Sequence, residues 1–185
     1  MPNGYGTYLF YILLVIIVFL ILLLTILNRM KKRKKGNIKP PCIEAGNIGA
    51  FFDKEKNVSI IPYVMDKYGM GRATGDIVLL SYPFQAERLG NAMRKAMSMC
   101  NNGVACKDEE LMSKLGFRGW KEFSEGKRNI SVHYQKGHGI VFNTTRRKVD
   151  GSYQFNHFGF EKTVNNDATD KELGNLLMVL LQRCK

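Results

Sequence analysis

The side chains that most often perform acid–base chemistry are sparse in this 185-residue chain. Its histidines are His133 and His157, which fall on predicted strands, and His138, which falls in a predicted turn over 135–139. Neither the turn nor the strands have the ligand spacing of a metal site. Nothing in the spacing places a serine and a carboxylate beside a histidine. We therefore predict a non-enzymatic protein; a hydrolase that uses one of the histidines stays as an alternative.

The cysteines and glycines also lack the spacing that a cofactor site requires. The chain has four cysteines, at Cys42, Cys100, Cys106 and Cys184. None of them forms the Cys-x-x-Cys pair of a zinc or redox site. The segment Gly69-x-Gly71 is too short for a phosphate-binding loop, and no Lys-Ser or Lys-Thr pair follows it. The sequence therefore predicts neither a metal nor a cofactor.

A short basic run near aromatic residues is the feature that best suits nucleic acid. Arg146, Arg147 and Lys148 stand before Tyr153, Phe155 and Phe158. Positive charge combined with stacking side chains is a common way to hold single-stranded RNA. Such a run also suits an ordinary solvated turn, so we do not predict nucleic acid as the main partner.

An almost uninterrupted apolar stretch runs from Leu9 to Leu27, and only Tyr11 and Thr25 in it carry a polar atom. A helix of about 19 residues spans about 28 Å, close to the thickness of a bilayer's hydrocarbon core. Basic residues follow the stretch and no charged residue precedes it, which predicts a single-pass anchor with its N-terminus outside. A cleaved signal peptide is the alternative, but its basic residues would precede the apolar run.

The basic flank of this stretch predicts contact with a membrane surface. Juxtamembrane lysines and arginines are attracted to anionic lipid headgroups, so we assign that role to Arg29, Lys31, Lys32, Arg33, Lys34 and Lys35. The predicted localisation is the inner (plasma) membrane, with the C-terminal domain in the cytoplasm. The net charge is +12, and +5 remains when residues 1–41 are left out. We predict an anchor over 1–30, a basic segment and linker over 31–47, and one domain over 48–185.

Apolar patterning predicts an α+β fold for this domain, with a mostly antiparallel sheet. Short apolar runs around polar turns predict strands, and the last of these is expected over Tyr153–Phe160. Two stripes with helical spacing predict long helices over 89–100 and 173–184. A shorter helix is predicted over Asp108–Leu115, and a helical turn at Trp120.

The two long helices begin alike. Leu89-Gly90-Asn91 opens the first, Leu173-Gly174-Asn175 opens the second, and the apolar positions recur at a shift of 84 residues. Strands precede each helix. We interpret the domain as two pseudo-repeated strand–strand–strand–helix halves, 48–106 and 107–185, with helices packed on the sheet. The alternative is that any two amphipathic helices share this period.

The second half of the chain resembles a known protein family. The resemblance rests on Asp108-Glu109-Glu110-Leu111, the segment Leu115–Phe123 (LGFRGWKEF), Ile130-Ser131-Val132, the strand Ile140–Thr144 and the helix from Lys171-Glu172-Leu173-Gly174 to Cys184. In this order they resemble the immunity proteins of bacterial contact-dependent growth inhibition systems. The resemblance covers 108–185, and 48–100 less closely. It implies a non-enzymatic protein that binds and blocks the toxin domain delivered by a neighbouring cell.

We therefore expect a membrane-anchored immunity protein whose partner is a toxin domain. A membrane-tethered basic module that binds RNA or another acidic partner is the alternative. Tryptophan, tyrosine and arginine are the usual anchors of protein interfaces. Residues of these types near the predicted strand edges are our candidates for partner binding: Tyr63, Tyr68, Arg72, Trp120, Arg146 and Arg147. Core packing is the alternative role for Trp120.

Overall fold

The computed structural model describes residues 14, 16–17, 19–23, 45–65, 70–101, 103–155 and 161–184. The chain divides into two units, Met1–Cys42 and Ile43–Lys185. All of the strands and helices given below belong to the second unit.

The predicted transmembrane anchor over Leu9–Leu27 is corrected by the structure. Crossing a bilayer requires a continuous apolar helix of about 20 residues, and no helix among the described residues combines that length with that apolar character. The plasma-membrane localisation depended on the anchor and is corrected with it. Residues 14, 16–17 and 19–23 are helical. The rest of the stretch lies outside the described residues, as do the predicted membrane-surface residues Arg29, Lys31, Lys32, Arg33, Lys34 and Lys35.

The second unit has an α+β fold in which one antiparallel sheet carries helices. In chain order its elements are β1 (Ala45–Phe52), β2 (Val58–Met65), β3 (Gly71–Ala73), β4 (Val78–Leu80), α1 (Ala86–Met99), α2 (Asp108–Leu115), α3 (Trp120–Ser124), β5 (Arg128–Gln135), β6 (Gly139–Arg147), β7 (Tyr153–Phe155), β8 (Glu161–Val164) and α4 (Asp170–Leu181). The strand order is β3-β2-β1-β5-β6-β7, with β4 beside β2 and β8 beside β6.

Alternation along the strands gives the sheet two different faces. On one face, which we call the inner face, alternate residues of β1 and β5 such as Phe52 and Val132 pack against α1 and α4. On the opposite, outer face a smaller core forms around Phe51 and Ile61 of the strands and Phe123 of α3. Among the described residues, the inner face therefore supplies most of the buried apolar surface, while α2 and α3 cover part of the outer face.

Strand pairing in the two halves follows a constant shift. Ala50 pairs with Ile60, and the residues 82 positions further on, Val132 and Phe142, pair in the same way. The pairing of β2 with β3 recurs at the same shift between β6 and β7. The pairing of β2 with β4 recurs between β6 and β8, where β8 is shifted by 84 positions. Each half thus repeats one arrangement of four strands and a helix, with α2 and α3 inserted between the halves.

The repeated Leu-Gly-Asn segments lie where α1 and α4 cross. A Cβ atom on Gly90 would overlap the backbone carbonyl of Asp170, and one on Gly174 would overlap that of Ala86. The two contacts are equivalent at the 84-residue shift. Glycine at both positions lets the helix backbones approach closely, which explains why the same residue recurs there.

The buried thiols at the ends of the helical stripes are equivalent as well. The Cys100 thiol donates to the carbonyl oxygen of Asn47 at 3.2 Å, and the Cys184 thiol donates to that of Asn129 at 3.3 Å. Burial raises the pKa of both thiols. Because buried thiols with a raised pKa are poor nucleophiles, these two cysteines serve packing in the structure.

Two strand boundaries differ from the prediction. The first strand begins at Ala45, in the predicted linker, because Gly46 leaves room for the Tyr134 phenol and Cys100 to pack against the backbone. The single strand predicted over Tyr153–Phe160 is two strands. β7 pairs with the end of β6 and β8 with its beginning, so the chain must cross between opposite ends of one strand.

A capping box stabilises the start of α4, where Thr169 and, three residues on, Glu172 have the residue types and spacing of that motif. The Thr169 hydroxyl accepts from the Glu172 amide, while the Glu172 carboxylate accepts from the Thr169 amide at 2.7 Å. We expect Thr169→Ala to lower the free energy of unfolding by about 1 kcal/mol because both bonds are lost. Gln85 holds the equivalent position before α1 and makes no capping bond through its side chain. Gln85→Ala is therefore the matched control. If chemical denaturation showed that both substitutions lower the free energy of unfolding equally, the prediction would be contradicted.

Candidate functional site

A cavity of about 450 Å³ opens on the outer face of the sheet, over the pairing of β1 with β5. Its floor includes the directly paired Gly49 and Ser131 and the neighbouring Asn47 and Asn129. Gly49 has no side chain and Ser131 has a short one, so a depression remains between taller neighbours. The site is thus a consequence of small residues on outward positions of the two central strands.

Aromatic side chains form one wall of this cavity. Phe51 is buried at the centre of the group, with its ring centroid 5.5 Å from Trp120, 5.2 Å from Phe123 and 5.5 Å from Tyr153. The rings meet edge to face, which is the favoured arrangement of aromatic pairs. Phe51 therefore holds Trp120 and Tyr153 in place, and both of these line the cavity.

The two tyrosines of the cavity are held as neutral phenols. The Tyr153 hydroxyl contacts the carbonyl oxygens of Lys127 at 3.0 Å and Ser124 at 3.2 Å. Burial raises the pKa of Tyr153 to about 12. Burial also raises the pKa of Tyr63, and the nearby Asp108 carboxylate raises it further. Neither phenol is a candidate base near neutral pH.

Three polar side chains that line this cavity, those of Asn47, Asn129 and Thr145, are already hydrogen-bonded within the sheet. The Thr145 hydroxyl lies 2.7 Å from the backbone carbonyl oxygen of Asn129 and 3.1 Å from its side-chain oxygen. The Asn47 amide oxygen is hydrogen-bonded to the ring of His133. Groups fixed in this way offer a preformed polar surface rather than an activated nucleophile. Across the described ranges, no cluster of three or more histidine, cysteine or carboxylate side chains is placed to hold a metal.

A second cavity, of about 470 Å³, lies at the turn between β6 and β7. Arg147 is anchored there, because its guanidinium donates to the Ser124 hydroxyl at 3.0 Å and to the Lys121 carbonyl oxygen at 3.1 Å. Arg146 and Lys148 line the same cavity and are exposed. The second cavity is therefore basic, whereas the first is aromatic and polar.

A carboxylate at the basic turn is engaged by its own neighbour. The Ser152 hydroxyl and amide donate to one oxygen of Asp150 at 2.7 and 2.9 Å, and these bonds lower the pKa of Asp150. Gln154 lines both cavities. The turn thus presents cations and an amide beside the aromatic wall.

The structure places the predicted partner-binding residues in different surroundings. Tyr63 and Trp120 line the first cavity, and Arg146 and Arg147 line the second. Arg72 is exposed on β3, opposite Val64, and lines neither cavity. Tyr68 lies outside the described residues. His133 and His138 are exposed, and His157 also lies outside the described residues.

Sequence reasoning missed several residues of the first cavity. Phe51 belongs to the aromatic wall, and Asn47 and Ser131 belong to the floor. Tyr153 and Phe155, which were considered only as stacking partners for RNA, line the same cavity. Strand alternation could have assigned Phe51 to an outward position. What it could not supply was the pairing of β1 with β5, which brings segments distant in sequence to one face.

The comparisons with solved structures define the class of fold. A protein of unknown function from Neisseria meningitidis is similar with a TM-score of 0.57 and 13% identity, over 77% of this chain and 97% of that one. A chain of the CdiA-CT/CdiI toxin and immunity complex from Yersinia pseudotuberculosis is similar with a TM-score of 0.58 and 13% identity, over 77% of this chain and 99% of that one. At this identity the likeness shows a shared fold. No family model and no curated protein matches the sequence.

Proposed function

We propose that this chain is a non-enzymatic immunity protein that binds and neutralises the toxin domain of a contact-dependent growth inhibition system. The observation that carries the proposal is the fold shared with a chain of the Yersinia toxin and immunity complex, which extends over 99% of that chain. The resemblance of segment 108–123 to such immunity proteins supports the same function. That segment forms α2 and α3, and Trp120 at the start of α3 lines the first cavity.

The outer face suits protein binding better than catalysis. Its cavity carries Trp120, Tyr63 and Tyr153 beside the arginines of the neighbouring turn. These residue types dominate the binding energy of protein interfaces. A rigid, hydrogen-bonded sheet beneath them limits the entropy lost on binding. We therefore place the toxin interface on this face.

Co-expression tests the proposed function directly. The full chain would be produced with the toxin domain encoded beside its own gene, and with a toxin domain from an unrelated system as the control. We expect a one-to-one complex and restored growth with the first toxin only. The readouts are colony counts and size-exclusion chromatography of the purified pair.

Two outcomes would contradict the proposal. One is toxicity that the chain does not relieve, without any complex between the two proteins. The other is RNA that co-purifies with the chain while no toxin complex forms, which would favour the alternative of a basic RNA-binding module.

A further inference from the structure

The inserted helices α2 and α3 cover only one half of the outer face. Phe51 and Ile61 are buried beneath them. The equivalent positions of the other half, 82 residues further on, are His133, which is exposed, and Asn143, which is partly exposed. The paired residues Gly49 and Ser131 are themselves separated by 82 positions and therefore mark the boundary between the two halves. Within the described residues, α2 and α3 thus cover one half of a repeated surface, and its counterpart is open and polar.

The open half has a basic rim at the end of β6, where the equivalent end of β2 is apolar. Arg146 and Arg147 at the end of β6 are equivalent to Val64 and Met65 at the end of β2. The open half adds Lys148 in the turn that follows. From β5 to β8 the described basic residues are Arg128, Lys136, Arg146, Arg147, Lys148 and Lys162, against the acids Asp150 and Glu161. The uncovered half therefore carries a net positive charge, and Arg146, Arg147 and Lys148 place three of its cations at one end of the sheet.

The cations of this rim differ in how they are held. Arg147 is fixed by its hydrogen bonds to Ser124 and Lys121 of α3. Arg146 and Lys148 flank it and are exposed. Asp150 is engaged by Ser152. The Lys148 charge also lowers the pKa of Asp150, so these two groups lie within electrostatic reach of each other. Among the described residues, no salt bridge joins Asp150 to Arg146 or Lys148, so both cations remain open to a carboxylate from outside the chain.

We infer that the toxin docks an acidic surface onto this open half, with a carboxylate at Arg146 and Lys148 and an apolar side chain in the aromatic cavity. The inference rests on the proposed function and deepens it by naming the chemistry of the partner. Gln154 borders both cavities, so one continuous segment of the partner can reach both. Phe155 is 61% exposed beside them and supplies an apolar rim.

Charge reversal at the rim tests the docking site. In the full chain, Arg146→Glu with Lys148→Glu is expected to weaken toxin binding about 100-fold, because like charges then face each other. The matched control is Arg88→Glu with Lys95→Glu, which makes the same change of charge on exposed positions of α1. That helix packs on the inner face, so the control should bind within about 3-fold of the wild type. The measurement is titration calorimetry in low and high salt.

The outcomes separate the docking site from the proposed function. A wild-type complex that the rim variant forms equally well overturns the docking site and leaves the function standing. Equal weakening by the rim and control variants also overturns it, because the effect would then follow from net charge. Failure of the wild-type chain to bind the toxin overturns both.

Hydrogen exchange on the wild-type complex provides a test that needs no variant. Toxin binding should slow amide exchange in residues 145–155, at the end of β6 and in β7. The equivalent end of the covered half, β3, should exchange as in the free chain. Protection confined to α1, α4 or β3 would overturn the docking site even if a rim variant failed to fold.

Discussion

Replacing either glycine at the helix crossing by alanine is expected to destabilise the fold by roughly 3 kcal/mol. The added methyl group on Gly90 or Gly174 would overlap a backbone carbonyl of the facing helix, which cannot move aside as a flexible side chain can. Alanine is intrinsically the better helix former by about 1 kcal/mol. The steric cost outweighs this gain because the two helices must separate along their whole contact.

The control for the helix crossing is a glycine with space around it. A methyl group on Gly71 in β3 would lie 3.8 Å from its nearest neighbour, the Cβ atom of Tyr63, which is an ordinary contact. Gly71→Ala should change the free energy of unfolding by less than about 0.5 kcal/mol. Chemical denaturation followed by circular dichroism measures all three variants. If Gly90→Ala and Gly174→Ala left the free energy of unfolding nearly unchanged, the backbones of α1 and α4 would not approach as closely as the structure shows.

Phe51→Ala is expected to cost about 3–5 kcal/mol, since it removes a fully packed ring. Phe51 is 2% exposed and contacts the rings of Trp120, Phe123 and Tyr153. Trp120 is the single tryptophan of the chain. Its fluorescence should therefore report both the loss of the ring contact and the lower midpoint of denaturation.

The equivalent residue in the other half is the matched control for Phe51. His133 lies 82 positions further on and is exposed on the uncovered half of the outer face. His133→Ala loses one hydrogen bond to Asn47 and should cost no more than about 1 kcal/mol. If the two substitutions lowered the free energy of unfolding by similar amounts, burial beneath α2 and α3 would not make Phe51 more important for stability than His133.

The helices were the most predictable elements because their signals are local. The stripe from Leu173 to Cys184 and the Thr169 capping box depend on residues three and four positions apart, and both are present in the structure. Strand limits depended on distant partners. Gly46 belongs to β1 because it pairs with Tyr134 of β5, and Tyr134 and Cys100 occupy the space that a side chain on Gly46 would need. Nothing near Gly46 in the sequence indicates these contacts.

The apolar stretch near the N-terminus shows a different limit of sequence reasoning. Composition and flanking charge predicted a membrane span over Leu9–Leu27, of which the structure describes residues 14, 16–17 and 19–23. The described residues contain no helix that is both long enough and apolar enough to cross a membrane.

The prediction of the candidate site was limited in a third way. Trp120 and Arg146 could be chosen by residue type, whereas the cavities that they line follow from pairings across the sheet.

The central pairing of β1 with β5 has a consequence for how the chain is made. Paired residues there stand 76 to 90 positions apart, between Phe52 with Arg128 and Ala45 with Gln135. Closing a loop of that size costs on the order of 4 kcal/mol of chain entropy before any contact repays it. During synthesis, the first half leaves the ribosome with the apolar edge of β1 unpaired. We therefore expect sheet closure late in folding, with that edge as the segment most exposed to misassociation until β5 arrives.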